Sequence, residues 1–307
     1  MDVPPLCVAI GPSSFAEEDP APLRILEDAG LTVRPNPFGR RLTQEEIIEH
    51  LRGADGLIAG LEPLNRAVLT SAAPRLRAIA RVGIGMTNVD QDAARELGIA
   101  VSNTPDGPVR AVAEMTLAAL LAIARNIVPM SAALHAGSWK KTIGFGLEDT
   151  PVLIVGCGRI GRRAAELLQA FGARVLWHDP YVASPVGVPG ERMPTLDEGL
   201  AQAEVVSLHA AGAQCLLGAA QFARMRDGAV LLNSARGELV DEAALVAALE
   251  SGKVSAAWFD AFWKEPYHGP LTRFPQVLLT PHTGTYTRQC RRDMETQAVR
   301  NLLHDLT

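Results

Sequence analysis

Residues 151–180 read PVLIVGCGRIGRRAAELLQAFGARVLWHDP. An apolar strand leads into Gly156-x-Gly158-x-x-Gly161, an amphipathic helix follows, and a second strand ends at Asp179, eighteen residues past Gly161. Each part serves the holding of a dinucleotide. Gly156 permits the tight turn, Gly158 lets the backbone approach a pyrophosphate, and Gly161 lets the helix lie close on the strand. The helix start, at Arg159 and Ile160, presents N–H groups and the positive end of its dipole to the phosphates. Asp179 is placed to accept hydrogen bonds from both adenosine ribose hydroxyls and to repel a 2′-phosphate, which selects NAD over NADP. Arg162 and Arg163 read either as ligands of such a phosphate or, better, as residues of the exposed helix face.

Around this stretch, short aliphatic runs alternate with helical patterns, which predicts an α/β chain with parallel strands covered on both faces. Strands are expected near Cys7–Ile10, Gly56–Ala59 and Leu76–Ala80, and helices near Pro22–Ala29, Thr43–Arg52 and Asp90–Leu97. Gly30 and Gly98 then serve as C-caps. NTPDGPVRAVAEMTLAALLAIARN, residues 103–126, starts a long apolar helix after a turn-rich lead-in. The strand–turn–helix rhythm restarts at Pro151, and a last helix, about Thr285 to Leu306, is long enough to return to the first domain.

With 307 residues, 48% of them hydrophobic, the chain can bury the cores of two domains. A net charge of −5 without a basic cluster argues against a nucleic-acid or membrane-surface protein. Four cysteines without metal-like spacing predict no metal site and fit a reducing cytoplasm. MDVPPLCVAIGPSS lacks a basic start and reads as a first strand, not a signal peptide. Ala111–Ile123 falls short of the roughly 20 residues that span a bilayer and contains Glu114, so no membrane segment is expected.

Three later stretches carry candidate chemistry: LLNSARGELVDEAAL, AAWFDAFWKEP and LLTPHTG. Each follows a strand, and the carboxyl ends of strands are where open α/β sheets place their ligand crevice. They offer Arg236, Asp260, Glu265 and His282.

With these segments, and with NTPDG and RVGIGMTNVD (81–90), the chain resembles the D-isomer-specific 2-hydroxyacid dehydrogenases over nearly its whole length. The likeness is to their phosphoglycerate dehydrogenase-like and hydroxypyruvate reductase-like branches. It rests on the glycine fingerprint with Asp179, Arg236-Gly237, Glu265-Pro266 and Pro281-His282. The resemblance implies two doubly wound parallel-sheet domains: a Rossmann NAD-binding domain over 101–284 and a flavodoxin-like substrate-binding domain from 1–100 and 285–307. It implies a cytoplasmic oxidoreductase that moves hydride between NAD(H) and a small D-2-hydroxy acid or its 2-oxo acid, such as glyoxylate, hydroxypyruvate or a phosphoglycerate-like acid.

The resemblance also implies roles. Arg236 clamps the substrate carboxylate and 2-oxo group, since its planar fork offers parallel donors. His282 exchanges the proton of the alkoxide, and Glu265 orients His282 and favours the imidazolium. Asp260 holds the nicotinamide carboxamide. His209, Ala210, Ser234, Ala235 and Gly284, with Arg236 and His282, line the cofactor; for His209 a purely structural role is an equal reading. Val82, Gly83 and Ile84 give backbone N–H groups to the substrate carboxylate, against the plainer reading of a strand-to-helix turn fixed by Asn88 and Asp90.

Two departures from the family pattern stand out. Gly60, Leu61 and Glu62 occupy a turn where relatives acting on larger anionic acids carry an Arg, which leaves Arg81 and Arg110 as substitute cations for a phosphate. The loop 209–218 is shortened and lacks the usual Pro and paired Thr, so the phosphate end of the cofactor is expected to be held more loosely, or by Gln214. By resemblance, the helix over Val109–Ile123 and the HAGSW arm form a homodimer, with Trp139 packing across it; the alternative is a helix that covers its own sheet. Two other functions compete: an NAD-sensing, corepressor-like binding protein and a phosphite-type dehydrogenase.

Overall fold

A computed structural model describes residues 5–182, 187–212 and 214–307. The chain divides into two compact units, Met1–Pro108 with Tyr286–Thr307, and Val109–Thr285.

The first unit is built on strands β1 (Cys7–Ile10), β2 (Thr32–Arg34), β3 (Gly56–Ala59), β4 (Ala78–Arg81) and β5 (Ala100–Asn103). They pair in parallel in the order β2-β1-β3-β4-β5. Helices α1 (Ala21–Asp28), α2 (Gln44–His50), α3 (Arg66–Ala72) and α4 (Gln91–Glu96) make the crossovers. Every residue of β3 and β4 is buried, as expected of aliphatic runs covered on both faces. Local signals set the helix starts: Thr43 and Glu46 form a capping box on α2, and Asp90 accepts Ala93 N–H to cap α4. The last helix of the chain (Arg288–Leu306) belongs to this unit and buries Met294, Ala298, Val299, Leu302 and Leu306. It lies so close to β3 that a Cβ on Gly56 would stand 3.2 Å from methyls of Leu302 and Leu306. Each such buried leucine contributes roughly 1.5–3 kcal/mol of transfer free energy.

The second unit opens with helices α5 (Pro108–Ala124) and α6 (Ile127–His135). Its sheet holds β6 (Pro151–Val155), β7 (Arg174–His178), β8 (Glu191–Arg192), β9 (Val205–Leu208), β10 (Ala229–Asn233), β11 (Val254–Phe259) and β12 (Val277–Leu279). All pair in parallel, in the order β12-β11-β10-β9-β6-β7-β8. The crossovers carry α7 (Arg159–Ala170), α8 (Leu196–Gln202), α9 (Ala219–Arg224) and α10 (Glu242–Glu250). Side chains alternate between two cores along the strands. Leu153, Val155, Val206, Leu208 and Leu231 enter one, while Val152, Ile154, Val205, Val230, Leu232 and Trp258 enter the other.

Helix α5 places Ala113, Ala119 and Leu120 in that second core, so it does cover its own sheet. Helix α6 buries none of its residues, and with the following arm it leaves Ile127, Val128, Leu134, Trp139 (82% exposed) and Ile143 (98%) open. No single helix among the described residues is long and apolar enough to cross a membrane; α5 and α6 pass that test only jointly, bent by 59°.

Candidate active site

Adjacent strands of the second sheet deliver the candidate residues in spatial order at one edge. His282 follows β12, Asp260 β11, Arg236 β10, His209 β9, Gly156 β6 and Asp179 β7. At about 4.8 Å between neighbouring strands, this row extends roughly 24 Å. The order in which successive strands are laid down reverses between β6 and β9, the position where such sheets leave a crevice.

Gly156, at φ +94°, carries the β6 turn, and a Cβ there would come within 2.5–2.7 Å of Ala210 and the His209 carbonyl carbon. A Cβ on Gly161 would lie 2.0 Å from Gly156 O, so glycine alone lets α7 start this close to the strand. Gly158 is the N-cap of α7, makes no side-chain cap, and has nothing within 4 Å of where a Cβ would sit. The first-turn amides at Arg159, Ile160 and Gly161 thus begin under open space, the arrangement that takes a phosphate. Asp179 is anchored by Cys157 N–H (2.8 Å) and Tyr181 N–H (2.9 Å). Arg162 turns back to donate from Nε to Cys157 O, on the inner side of the turn.

Two buried polar atoms along this edge have no protein partner among the described residues: Ser234 Oγ and His209 Nδ1. Such atoms are costly unless a ligand or water satisfies them. His209 Nε2 lies 2.9 Å from Ser207 Oγ, and burial pushes the imidazole down to about 4, so it stays neutral. The glycine cradle and these orphaned groups fit a dinucleotide. Gln214 is exposed in the shortened loop, whose Ala213 lies outside the described residues. Leu216 and Leu217 anchor that loop by donating N–H to Leu239 O, just beyond Arg236.

Arg236 is shaped by a residue the sequence reading passed over. Asn233, fully buried at the end of β10, accepts Ala235 N–H at 3.0 Å and donates to Arg236 O at 2.9 Å. Asn at a strand end followed by small residues is the turn signal that would have found it. Gly237 brings the Arg236 turn against the next loop: a Cβ there would be 2.3 Å from Trp263 N. That loop carries Glu265, whose Oε1 accepts Phe262 N–H at 3.2 Å.

His282 Nδ1 stands 2.9 and 3.0 Å from the two Glu265 carboxylate oxygens. A carboxylate only accepts, so Nδ1 carries the hydrogen and Nε2 is the atom left for a ligand. His282 has φ +55°, rare for a residue with a side chain, and Asp260 shows what enforces it. Asp260 is buried; its Oδ1 accepts Thr280 Oγ1–H (2.5 Å) and Thr283 N–H (2.8 Å), and its Oδ2 accepts Gly284 N–H (2.7 Å). Asp260 therefore ties down both sides of His282. A carboxylate has about four lone-pair sites, so roughly one remains for a carboxamide.

In the first unit, the 82–85 loop differs from expectation in its donors. Val82 N–H is committed to Ala59 O, and Gly83 N–H to Thr104 Oγ1 at 2.7 Å. Thr104 N–H returns to Gly83 O, and Asn103 Nδ2 donates to Ile84 O. Among the described residues, the amides of Ile84 and Gly85 have no protein acceptor. The amides of Val82 and Gly83 are thus engaged within the protein, which leaves those of Ile84 and Gly85 in the same segment. Arg81 is also corrected: it is buried and donates to Val82 O, so it is an internal brace, not a phosphate ligand, whereas Arg110 is exposed. Asn88 fixes the far side of the loop by donating to Gly60 O and Glu62 O.

The glycine-cradled edge of the second sheet thus also carries an arginine and a carboxylate-held histidine. Residues 117–284 match the family model for the D-isomer specific 2-hydroxyacid dehydrogenase NAD binding domain. The chain belongs to this family. It is 35% identical over 280 residues to the D-3-phosphoglycerate dehydrogenase of Methanocaldococcus jannaschii, covering 88% of this chain and 52% of that protein. The chain thus spans about half the length of the curated relatives it matches. Among solved structures it is similar to a glyoxylate reductase from Paecilomyes thermophila (30% identity, TM-score 0.87, 99% and 96% of the two chains). A protein of Thermus thermophilus is similar to the same extent (36%, TM-score 0.88, 98% and 97%).

Proposed function

We propose that this chain is an NAD-dependent dehydrogenase interconverting a small D-2-hydroxy acid and its 2-oxo acid. The observation that carries the reading is the Glu265–His282 couple at 2.9 Å, one strand end from Asp260 and two from Arg236 on the cofactor edge. Bound NADH supplies the hydride to the substrate carbon. Arg236 holds the carboxylate and polarises the 2-oxo group, and His282 Nε2 gives its proton to the oxygen that becomes the hydroxyl. In the reverse direction the neutral imidazole takes that proton back. Val109–Thr285 is then the NAD-binding domain, and the other unit, whose strand order is that of a flavodoxin-like sheet, the substrate-binding domain.

Substrate identity is tested by NADH oxidation with glyoxylate, hydroxypyruvate and 3-phosphohydroxypyruvate, beside NAD reduction with phosphite. The similarity to a glyoxylate reductase, and the absence of an Arg at Gly60–Glu62, favour the unphosphorylated acids. Turnover with phosphite alone, or NADH binding without any turnover, sinks the reading.

The cofactor is NAD in preference to NADP, because the anchored Asp179 carboxylate would accept from ribose hydroxyls and repel a 2′-phosphate. Asp179→Asn keeps the size of the side chain but removes the repulsion of a 2′-phosphate. It is expected to shift the NADH-to-NADPH ratio of kcat/KM by roughly tenfold or more toward NADPH, since each 1.4 kcal/mol is tenfold.

The exposed apolar side chains of α6 and its arm are read as a homodimer interface, because this many large apolar groups close in sequence need covering in water. Light scattering is expected to give twice the chain mass for the wild type. Trp139→Glu with Ile143→Glu should shift it to the monomer.

A further inference from the structure

Two loops of the Val109–Thr285 unit carry the charged groups of the candidate site: one follows β10 and bears Arg236, the other follows β11 and bears Glu265. Both lie past the last paired residues, Asn233 and Phe259, so the distance between them is left to contacts outside the ladder. After Arg236 the chain makes one 3-10 turn (Gly237–Leu239) and enters α10 at Glu242. The Glu265 loop grips this segment at three points. Its backbone lies against Gly237, where a Cβ would come 2.3 Å from Trp263 N. Trp263 Nε1–H donates to Val240 O at 2.7 Å. Tyr267 donates its phenol hydrogen to Glu242 Oε1 at 2.6 Å, and the same phenol oxygen accepts Leu271 N–H at 3.1 Å.

A phenol oxygen that accepts one amide and donates to a carboxylate has its hydrogen fixed in one direction. Burial, with the Glu242 carboxylate beside it, pushes the Tyr267 phenol up, so the donor stays protonated. From there to the chemistry the path is short. The Tyr267 ring stacks on Phe262, with centroids 4.5 Å apart and planes 20° apart. Phe262 N–H donates to Glu265 Oε1 at 3.2 Å, the oxygen that also takes His282 Nδ1–H at 2.9 Å. The ring has little room to move, since a Cβ on Gly269 would lie 2.5 Å from its atoms. The phenol therefore ties the loop that orients His282 to the helix that follows the Arg236 turn.

We propose that Tyr267, through Glu242, is a positioning residue for the oxidoreductase reaction, setting the separation between the Arg236 turn and the Glu265–His282 couple. Tyr267 touches no reacting atom. This rests on the reading of that couple as the proton-exchanging group.

The test is steady-state reduction of a 2-oxo acid by NADH with the full chain, cofactor sites being counted by fluorescence titration so that rates are expressed per NADH-binding site. Tyr267→Phe keeps the ring and its stack and loses only the hydroxyl. It is expected to lower kcat per site about tenfold, with the NADH Kd within about threefold, because misplacing the acid against the arginine weakens the transition state more than cofactor binding. Glu242→Ala should reproduce the loss, whereas Glu242→Gln, whose amide oxygen still accepts the phenol, should stay within about threefold of wild type. The double variant of Tyr267→Phe with Glu242→Ala should be no worse than the worse single, as for two partners of one bond. A merely structural role lowers the number of NADH sites and leaves kcat per site alone. That pattern overturns the proposal, as do multiplying losses in the double variant or a Glu242→Gln enzyme as slow as Glu242→Ala. Should Tyr267→Phe fail to fold by circular dichroism, the two Glu242 variants carry the test, since they leave the phenol bond to Leu271 in place. An unchanged kcat per site in Glu242→Ala then overturns the proposal equally. Absence of wild-type turnover with every 2-oxo acid overturns the proposed function and this inference with it. Loss of turnover in His282→Gln beside an unchanged kcat per site in Tyr267→Phe overturns this inference alone.

Discussion

Replacing Arg236 by alanine is expected to lower kcat/KM for a 2-oxo acid by about three orders of magnitude, with NADH affinity changed by no more than about threefold. The guanidinium is the cation at the centre of the row formed by the strand ends, and its fork matches two substrate oxygens at once. Removing it leaves a carboxylate to be desolvated against no counter-charge. The turn that carries it would survive, because Asn233 grips the backbone at Ala235 N and Arg236 O and not the side chain. Arg236→Lys restores charge without the fork and should recover roughly tenfold of the lost kcat/KM. Stopped-flow single turnovers and an NADH fluorescence titration separate the two terms. An alanine variant within tenfold of wild type would remove Arg236 from the mechanism.

The second large effect concerns the proton. His282→Gln is expected to cut the rate in both directions by about 10²–10⁴-fold and to flatten the pH profile. In the direction of reduction the ring gives its proton, so the wild-type rate should fall as pH rises. In oxidation the ring accepts the proton, so the sign reverses and the rate should fall as pH drops. Glutamine has no proton to exchange, and both slopes should vanish. Glu265→Ala tests the orienting role: it leaves the imidazole in place but frees a ring now held by two contacts of 2.9 and 3.0 Å. A profile of wild-type shape in His282→Gln would reject the assignment.

The glycine fingerprint was legible because its glycines answer to steric demands that no other residue meets. Gly156 and Gly161 would each collide with backbone if they carried a Cβ. The crossover rhythm was legible for long apolar runs and failed for weak ones. Strand β2 is three residues at a sheet edge and ends in Arg34, α3 is a seven-residue helix whose start rests on Asn65 alone, and β5 leaves every residue at least partly exposed. None of these offers a hydrophobic period strong enough to read. The strand before Val82 was read two residues early, since Leu76 is buried like the strand but belongs to the preceding turn.

At the site, residue types were readable and partners were not. Arg236, Glu265 and His282 announce themselves through adjacent glycine or proline. Val82 is engaged by Ala59 O and Gly83 by Thr104, each about twenty residues away, which no local pattern reveals. Glu62 looked like a missing arginine. Its burial depends on Gly11 at another strand end, a long-range juxtaposition of two glycines around one acid.

The alternating interior of the second sheet has a further consequence for how such a chain can change over generations. Leu153, Val155, Val206 and Leu231 hold the strands from within, whereas every ligand-facing group is mounted past the last paired residue. Mutational drift in the rim loops is thereby uncoupled from cohesion of the scaffold. Transplanting whole rim segments between homologues should redirect chemistry at little thermal cost, whereas inward-facing replacements would melt the scaffold before any new specificity emerged.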